Sequence, residues 1–133
     1  SYIPGLDFLS ILSQTGYIHR LLNTRLEEKA DCTPCYPGKG PCITIADHAS
    51  ILTRHIREKI ENMDTEALWH YKRPIFGVTN TAGLHRLGCD AYGLTVSAPC
   101  RSIHSAVSSV RKDDLDNTYI FVRDFLRQNN LFD

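Results

Sequence analysis

The side chains most able to do chemistry in this chain are a histidine near the C-terminus and a group of closely spaced cysteines. His104 lies in P-C-R-S-I-H-S, residues 99–105, where a strand pattern ends and a helical pattern has not begun. An imidazole in such a place can ligate zinc or cobalt, with its second nitrogen held by an outer partner. A hydrogen-bonded loop histidine is the alternative, and one histidine alone does not decide between the two.

The cysteines form a second candidate site. Cys32 and Cys35 form C-T-P-C, and Cys42 follows seven residues after Cys35. Three thiolates could hold a structural zinc ion with His48 as the fourth ligand, although the usual second C-x-x-C is absent. The alternative is ordinary buried or loop cysteines. A thioredoxin-like redox role is disfavoured because C-T-P-C does not open a helix after a strand.

Two further stretches have simpler structural interpretations. Glu27 and Glu28 could include a general base beside a metal, but they lie in a helical pattern and Lys29 follows them, which favours a solvated helix face. P-G-K-G-P, residues 37–41, lacks the full phosphate-loop motif and the helix directly after it. It is predicted to be a rigid turn leading into a strand.

Composition narrows the class of protein. The chain has 133 residues, enough for one domain, and its 15 basic residues balance 15 acidic ones. A net charge near zero argues against a general nucleic-acid binder, and no apolar run is long enough to span a membrane. The chain has five cysteines and no signal-peptide pattern at its start. These features favour reduced thiols and a cytoplasmic location.

Hydrophobic periodicity predicts the elements that carry these residues in the first half of the chain. Residues 6–29 are predicted to form one or two helices, followed by a loop over residues 31–41. C-I-T-I-A then predicts a strand. Asp47 is expected to cap a helix over residues 49–62, whose inner face carries Ile51, Leu52, His55, Ile56 and Ile60.

In the second half, strands and helices again alternate. A-L-W-H-Y-K-R and A-Y-G-L-T-V-S-A predict strands, with a turn and a short helix between them. A closing helix opens at Asp113 or Asp114, and its apolar positions are Leu115, Tyr119, Val122, Phe125 and Leu126. This order predicts a single α/β domain over residues 1–133, with a mixed sheet flanked by helices. Ligands in such folds collect at the carboxyl edge of the sheet, which His104 follows.

Several stretches together resemble one family. G-K-G-P-C-I-T, residues 38–44, is similar to the G-K-G-P-x-I strand entry of dinuclear-metal aminopeptidases of the tetrahedral and deblocking type. That family includes glutamyl aminopeptidases and proteins labelled endoglucanases. V-T-N-T-A, residues 78–82, resembles the family's G-T-D-A turn, and P-C-R-S-I-H-S resembles P-x-R-Y-I-H-S. The closing helix resembles the family's last helix, so the resemblance runs from Gly38 to the C-terminus.

The resemblance implies a zinc- or cobalt-dependent enzyme that removes N-terminal residues from peptides, with a three-layer, phosphorylase/peptidase-like fold. It implies that His104 is a metal ligand and that Arg101 supports the loop. Asn80 stands where the family has aspartate, and Ser102 stands where it has tyrosine. The family's early histidine, bridging aspartate and Q-E-E-V-G glutamates have no match among residues 1–37. The chain therefore resembles the C-terminal part of a catalytic domain, residues 38–133, preceded by a helical segment.

Two other functions are alternatives to the aminopeptidase. One is a catalytically silent α/β module that binds a peptide or a partner surface, and the other is a small domain stabilised by zinc on cysteines. The partners expected for the aminopeptidase are a peptide substrate and either further copies of the chain or a chain that completes the site. Nucleic acid and membrane are not expected partners.

Overall fold

The computed structural model describes residues 8–16, 35–47, 49–73, 80–88, 92–102 and 106–130. These ranges contain five strands: β1 (Phe8–Gly16), β2 (Cys42–Thr44), β3 (His70–Lys72), β4 (Gly93–Arg101) and β5 (Ser109–Val110). They also contain three helices: α1 (Arg54–Glu61), α2 (Asn80–Arg86) and α3 (Lys112–Gln128).

The strands form one mixed sheet in the order β1-β4-β2-β3. β1 runs parallel to β4, with Phe8 opposite Gly93 at one end and Gly16 opposite Cys100 at the other. On the other side of β4, β2 pairs antiparallel, and β3 pairs parallel to β2. β5 pairs antiparallel with the last two residues of β4, beyond the residues of β4 that pair with β2. The expected mixed sheet is confirmed.

One face of the sheet carries the hydrophobic core. Both α1 and α3 present a pair of residues spaced by four, and such pairs lie on one face of a helix. The partly buried rings of Trp69 and Tyr71 pack at the margin of this cluster. Its fully buried sheet and helix members are Ile43, Leu94, Val96, Ile56, Ile60, Phe121 and Phe125.

The opposite face is polar and nevertheless buried. Alternation along the strands turns Cys42, Thr95 and Ser97 away from the core, and all three are buried. The hydroxyl oxygens of Thr81 in α2 and Thr95 in β4 lie 2.8 Å apart. Helices therefore cover both faces, which confirms the α/β fold with helices flanking a sheet.

The expected helix at the start of the chain is wrong for residues 8–16. They form β1 and pair with β4 along almost their whole length. A short apolar run such as F-L-S-I-L fits either element, and the pairing partner lies more than eighty residues away in sequence. The rest of the predicted N-terminal helical segment lies outside the described residues.

The boundaries of α1 also differ from the expectation. The helix begins after Thr53, because the Asp47 carboxylate accepts hydrogen bonds from the backbone of Ala49 and Ser50 in a local turn. Asparagine and aspartate favour such turns over helix interiors. Ile51 consequently lies before the helix and is exposed, whereas Ile56 and Ile60 are buried as expected.

The buried face of α3 is rotated from the predicted one. Leu115 and Tyr119 are exposed, whereas Asp114, Phe121 and Phe125 are buried. These three residues are spaced by seven and four, which places them on one helical stripe. The buried hydrogen bonds of Asp114 to the loop before β2 fix this rotation.

Other elements follow the predictions with small changes. β2, β3 and α2 lie where they were expected, and residues 37–41 form a turn that leads into β2. β4 is longer than predicted, because residues 99–101 belong to the strand, and β5 was not predicted. No helix in the described part of the chain has the length and apolar character needed to cross a membrane.

Candidate functional site

The first candidate region is the edge of the sheet where β1 and β4 end together. Arg101 is the last residue of β4 and is exposed. Ser102 follows with a φ of 57°, a left-handed backbone conformation that is uncommon for residues other than glycine. His104 lies outside the described residues, so its role as a ligand stays a prediction. Asn80 is the first residue of α2.

A second group of side chains converges near the start of β2. The sulfur atoms of Cys35 and Cys42 lie 2.9 Å apart, and the Cys42 sulfur lies 3.3 Å from His70 Nε2. The candidate ligand atoms of the three residues all lie within 4.8 Å of one another. Within the part of the chain that the structure describes, this is the group of histidine, cysteine and acidic side chains that could hold a metal ion. We call it the cysteine–histidine cluster.

The sheet places two members of this cluster side by side. Cys42 is the first residue of β2 and His70 is the first residue of β3, and the two are paired in the parallel ladder. Paired residues on neighbouring strands project from the same face. His70 was not predicted as a ligand, because 28 positions separate it from Cys42 in the sequence. The predicted partners Cys32 and His48 lie outside the described residues.

The third member, Cys35, lies on the loop that α3 anchors. The buried carboxylate of Asp114 accepts hydrogen bonds from the backbone N–H groups of Gly38 and Gly40, at 2.8 and 2.9 Å. Both glycines have positive φ, at 79° and 72°. The G-K-G-P turn is therefore held at a fixed place beside the cluster.

The two thiols of the cluster have opposite acidities. The hydrogen bond from Cys42 lowers the pKa of Cys35 to about 6, with smaller contributions from His70 and Lys72, against the effect of burial. The same hydrogen bond and burial raise the pKa of Cys42 well above its ordinary range. Lys72 is only 6% exposed, and burial lowers its pKa, while the cysteines oppose that change. The pair thus shares one proton and one negative charge beside a buried amine.

The cluster lies toward the edge of the sheet at which β4 ends. β2 and β3 run antiparallel to β4, so their first residues lie toward the edge at which β1 and β4 end. The cysteines at this edge are free thiols: Cys35, Cys42 and Cys100 form no disulfide within the described residues.

Comparison with known proteins decides the family. The model of the M42 glutamyl aminopeptidase family matches residues 21–120. This chain belongs to that family. The match includes the G-K-G-P turn, the V-T-N-T-A stretch and the segment around His104, so the resemblance seen in the sequence is confirmed. No curated protein matches the chain.

Solved structures show the same fold at low sequence identity. An aminopeptidase of the archaeon Desulfurococcus kamchatkensis aligns with a TM-score of 0.71 at 20% identity, over 90% of this chain and 33% of that one. The TET1 peptidase of Pyrococcus horikoshii, described as assembling into a tetrahedron or a large octahedral shell, aligns at 0.61 with 18% identity, over 89% and 32%. An endoglucanase of Thermotoga maritima aligns at 0.52 with 22% identity, over 89% and 32%. This M42 chain spans about a third of the length of each of them.

Proposed function

We propose that this M42 chain is the C-terminal part of the catalytic domain of a metal-dependent aminopeptidase, with His104 as one metal ligand. The observation that carries the proposal is the joint end of β1 and β4, where Gly16 lies opposite Cys100. The carboxyl ends of parallel strands are the usual place for a ligand in α/β sheets. In the sequence, His104 follows the last residue of β4 by three positions.

The backbone just before His104 supports a functional edge. Ser102 holds a φ of 57°, between the end of β4 at Arg101 and the histidine. Such conformations cost free energy in residues other than glycine and persist where the surrounding structure imposes them, often at binding sites. We infer that Arg101 supports the loop and that Asn80 takes the place of the family's aspartate near the substrate.

The described residues do not fit a pair of metal ions held by imidazole and carboxylate groups. Their one cluster of three candidate ligands contains two sulfurs, whereas the expected site uses nitrogen and oxygen. The remaining ligands and the general base of the proposed enzyme therefore come from outside the described residues. Zinc or cobalt is the proposed cofactor.

Substrate and assembly follow from the family as further proposals. We infer that the substrates are peptides with a free N-terminus and that copies of the chain assemble with one another, since two structural neighbours are described as a dodecamer and as a tetrahedral or octahedral shell. The free thiols of the described part agree with the cytoplasmic location proposed from sequence.

Hydrolysis of aminoacyl p-nitroanilides by the full protein that contains this chain, loaded with zinc or cobalt, tests the proposal. We expect His104→Ala to abolish hydrolysis, and His55→Ala, which alters an exposed histidine of α1, to leave it unchanged. Elemental analysis of the same proteins locates the metal. Metal lost in His104→Ala supports the proposal, whereas metal that survives there but is lost in Cys35→Ser belongs to the cysteine–histidine cluster.

A catalytically silent module is the second candidate function. The asparagine at position 80 in place of the family's aspartate favours it, as does the short edge strand β3, which pairs on one side with β2. An edge strand can accept an extended peptide by adding it to the sheet. Complete lack of hydrolysis, together with self-association of the folded protein, would replace the aminopeptidase proposal by this one.

A further inference from the structure

We propose that Cys35, Cys42 and His70 bind one zinc ion. The inference rests on the geometry of the cysteine–histidine cluster and not on the proposed aminopeptidase activity. Two sulfurs and an imidazole nitrogen lie within 4.8 Å of one another at the start of β2 and β3. Thiolate and imidazole ligands select zinc over magnesium and calcium, which prefer oxygen.

The imidazole is already in the form that ligates a metal. The backbone N–H of Tyr36 lies 3.0 Å from His70 Nε2, and a backbone N–H can only donate. Nε2 therefore carries no proton, and its single lone pair, 3.3 Å from the Cys42 sulfur, now accepts from Tyr36. Zinc binding replaces this hydrogen bond by a bond to the metal. The proton lies on Nδ1, which is 3.2 Å from the carbonyl oxygen of Lys39 and donates to it. An outer carbonyl partner of this kind fixes the tautomer and orientation of metal-bound histidines.

Two of the three proposed ligands lie on paired strands, and the third lies on a loop. Cys42 and His70 are fixed by the paired strands, whereas Cys35 lies on the loop that ends at the turn held by Asp114. Tetrahedral zinc with sulfur at about 2.3 Å separates two sulfurs by about 3.8 Å. The sulfurs are now 2.9 Å apart, so binding requires Cys35 to move outward by about 0.9 Å, which its loop position allows.

Charge also suits zinc. Two thiolates and a neutral imidazole balance the two positive charges of the ion, so the metal and its three ligands together carry no net charge, which suits the buried position of Cys42. The buried amine of Lys72 is a further ionisable group beside them. The described residues supply three ligands, which leaves one position of a tetrahedron for water or another donor. A disulfide is the competing fate of the pair, but it needs an oxidant and needs the sulfurs to approach to about 2.05 Å instead of separating.

Cobalt titration of the chain, stripped of metal and kept in reductant, tests the proposal. We expect one Co²⁺ per chain, with thiolate-to-cobalt charge-transfer absorption in the near ultraviolet and intense tetrahedral bands in the visible, and displacement by Zn²⁺. Cys35→Ser should remove about half of the charge-transfer intensity and weaken binding at least about tenfold. His70→Gln should weaken binding by a similar factor.

Matched controls separate ligation from general damage. His55→Gln alters an exposed histidine and Cys100→Ser alters a buried cysteine outside the cluster, and both should bind cobalt as the parent does. Circular dichroism checks the fold of each variant. Zinc-edge X-ray absorption of the unaltered protein needs no variant and should show a shell of two sulfurs.

Three results would overturn the proposal. One is a cobalt spectrum without charge transfer or a zinc shell of nitrogen and oxygen alone. The second is unchanged binding in folded Cys35→Ser and His70→Gln. The third is a parent protein that, even in reductant, is lighter by two hydrogens and has a Cys35–Cys42 disulfide. None of these results bears on hydrolysis that depends on His104, so the two proposals fail separately.

Discussion

Asp114 in α3 and Gly40 before β2 are joined by a buried hydrogen bond of 2.9 Å across 74 positions of sequence. The carboxylate also accepts from Gly38, at 2.8 Å. This one side chain therefore sets the rotation of α3 and fixes the G-K-G-P turn that follows Cys35.

Removing the Asp114 carboxylate should destabilise the chain strongly. Asp114→Ala leaves two loop N–H groups without their acceptor, and we expect a loss of about 3 kcal/mol in the free energy of unfolding. Asp114→Asn keeps one acceptor oxygen and should lose less. Urea denaturation measures both. Asp116→Asn, on the exposed side of the same helix, is the control and should unfold as the parent does.

Gly40 and Gly88, two glycines with positive φ, should respond differently to alanine. A Cβ at Gly40 would lie 1.9 Å from the carbonyl oxygen of Leu68, so Gly40→Ala collides with backbone in addition to its strained φ. Gly88 has a similar φ of 74° and open space around it, and Gly88→Ala should cost only about 1 kcal/mol. Thermal unfolding should rank Gly40→Ala as the most damaging of the pair. Equal melting temperatures would contradict the close approach to Leu68.

Cys35 should be the most reactive described thiol at neutral pH in the metal-free protein. With a pKa of about 6 it is mostly thiolate at pH 7, whereas burial raises the pKa of Cys100. Alkylation by iodoacetamide, mapped by mass spectrometry, should therefore change little from pH 7 to pH 9 and fall below pH 6. Cys42→Ala removes the hydrogen bond that stabilises the thiolate, and should move this fall to higher pH. A reactivity that rises steadily up to pH 9 in the parent would contradict the shared proton.

Phe121 should contribute more to stability than any exposed residue of α3. Its ring is fully buried and lies 5.9 Å from the ring of Trp69. Phe121→Ala should lower the free energy of unfolding by about 3 to 5 kcal/mol and shift tryptophan fluorescence. Tyr119→Ala, at a position that is 68% exposed on the same helix, should change little. Similar losses in both variants would mean that α3 packs by another face.

Local patterns in the sequence were sufficient to predict several strands, turns and helices. The β-branched run after Pro41 forms β2, the glycines and prolines of residues 37–41 form a turn, and Asn80 opens α2. The same patterns were insufficient for β1. An apolar run of that length fits a helix or a strand, and only the parallel pairing with β4 selects the strand.

Of the candidate site residues, some could be predicted from local sequence and others could not. The motif around His104, with the G-K-G-P turn, was enough to indicate the M42 family. The sequence also singled out Cys35 and Cys42 as possible ligands, but it paired them with His48. No local pattern marks His70, because its approach to Cys42 depends on β2 and β3 lying side by side.

The sequence by itself therefore determined the family, the alternating α/β character and the residues with chemical potential, because motifs and periodicity are properties of neighbouring positions. Only the tertiary structure decided that Asp114 holds the glycine turn, that β1 is a strand and that His70 faces two thiols. Each of these contacts joins positions at least 28 residues apart. Such contacts form because buried polar groups need hydrogen-bond partners, and those partners come from distant parts of the chain. The residues next to each partner in the sequence therefore do not predict the contact.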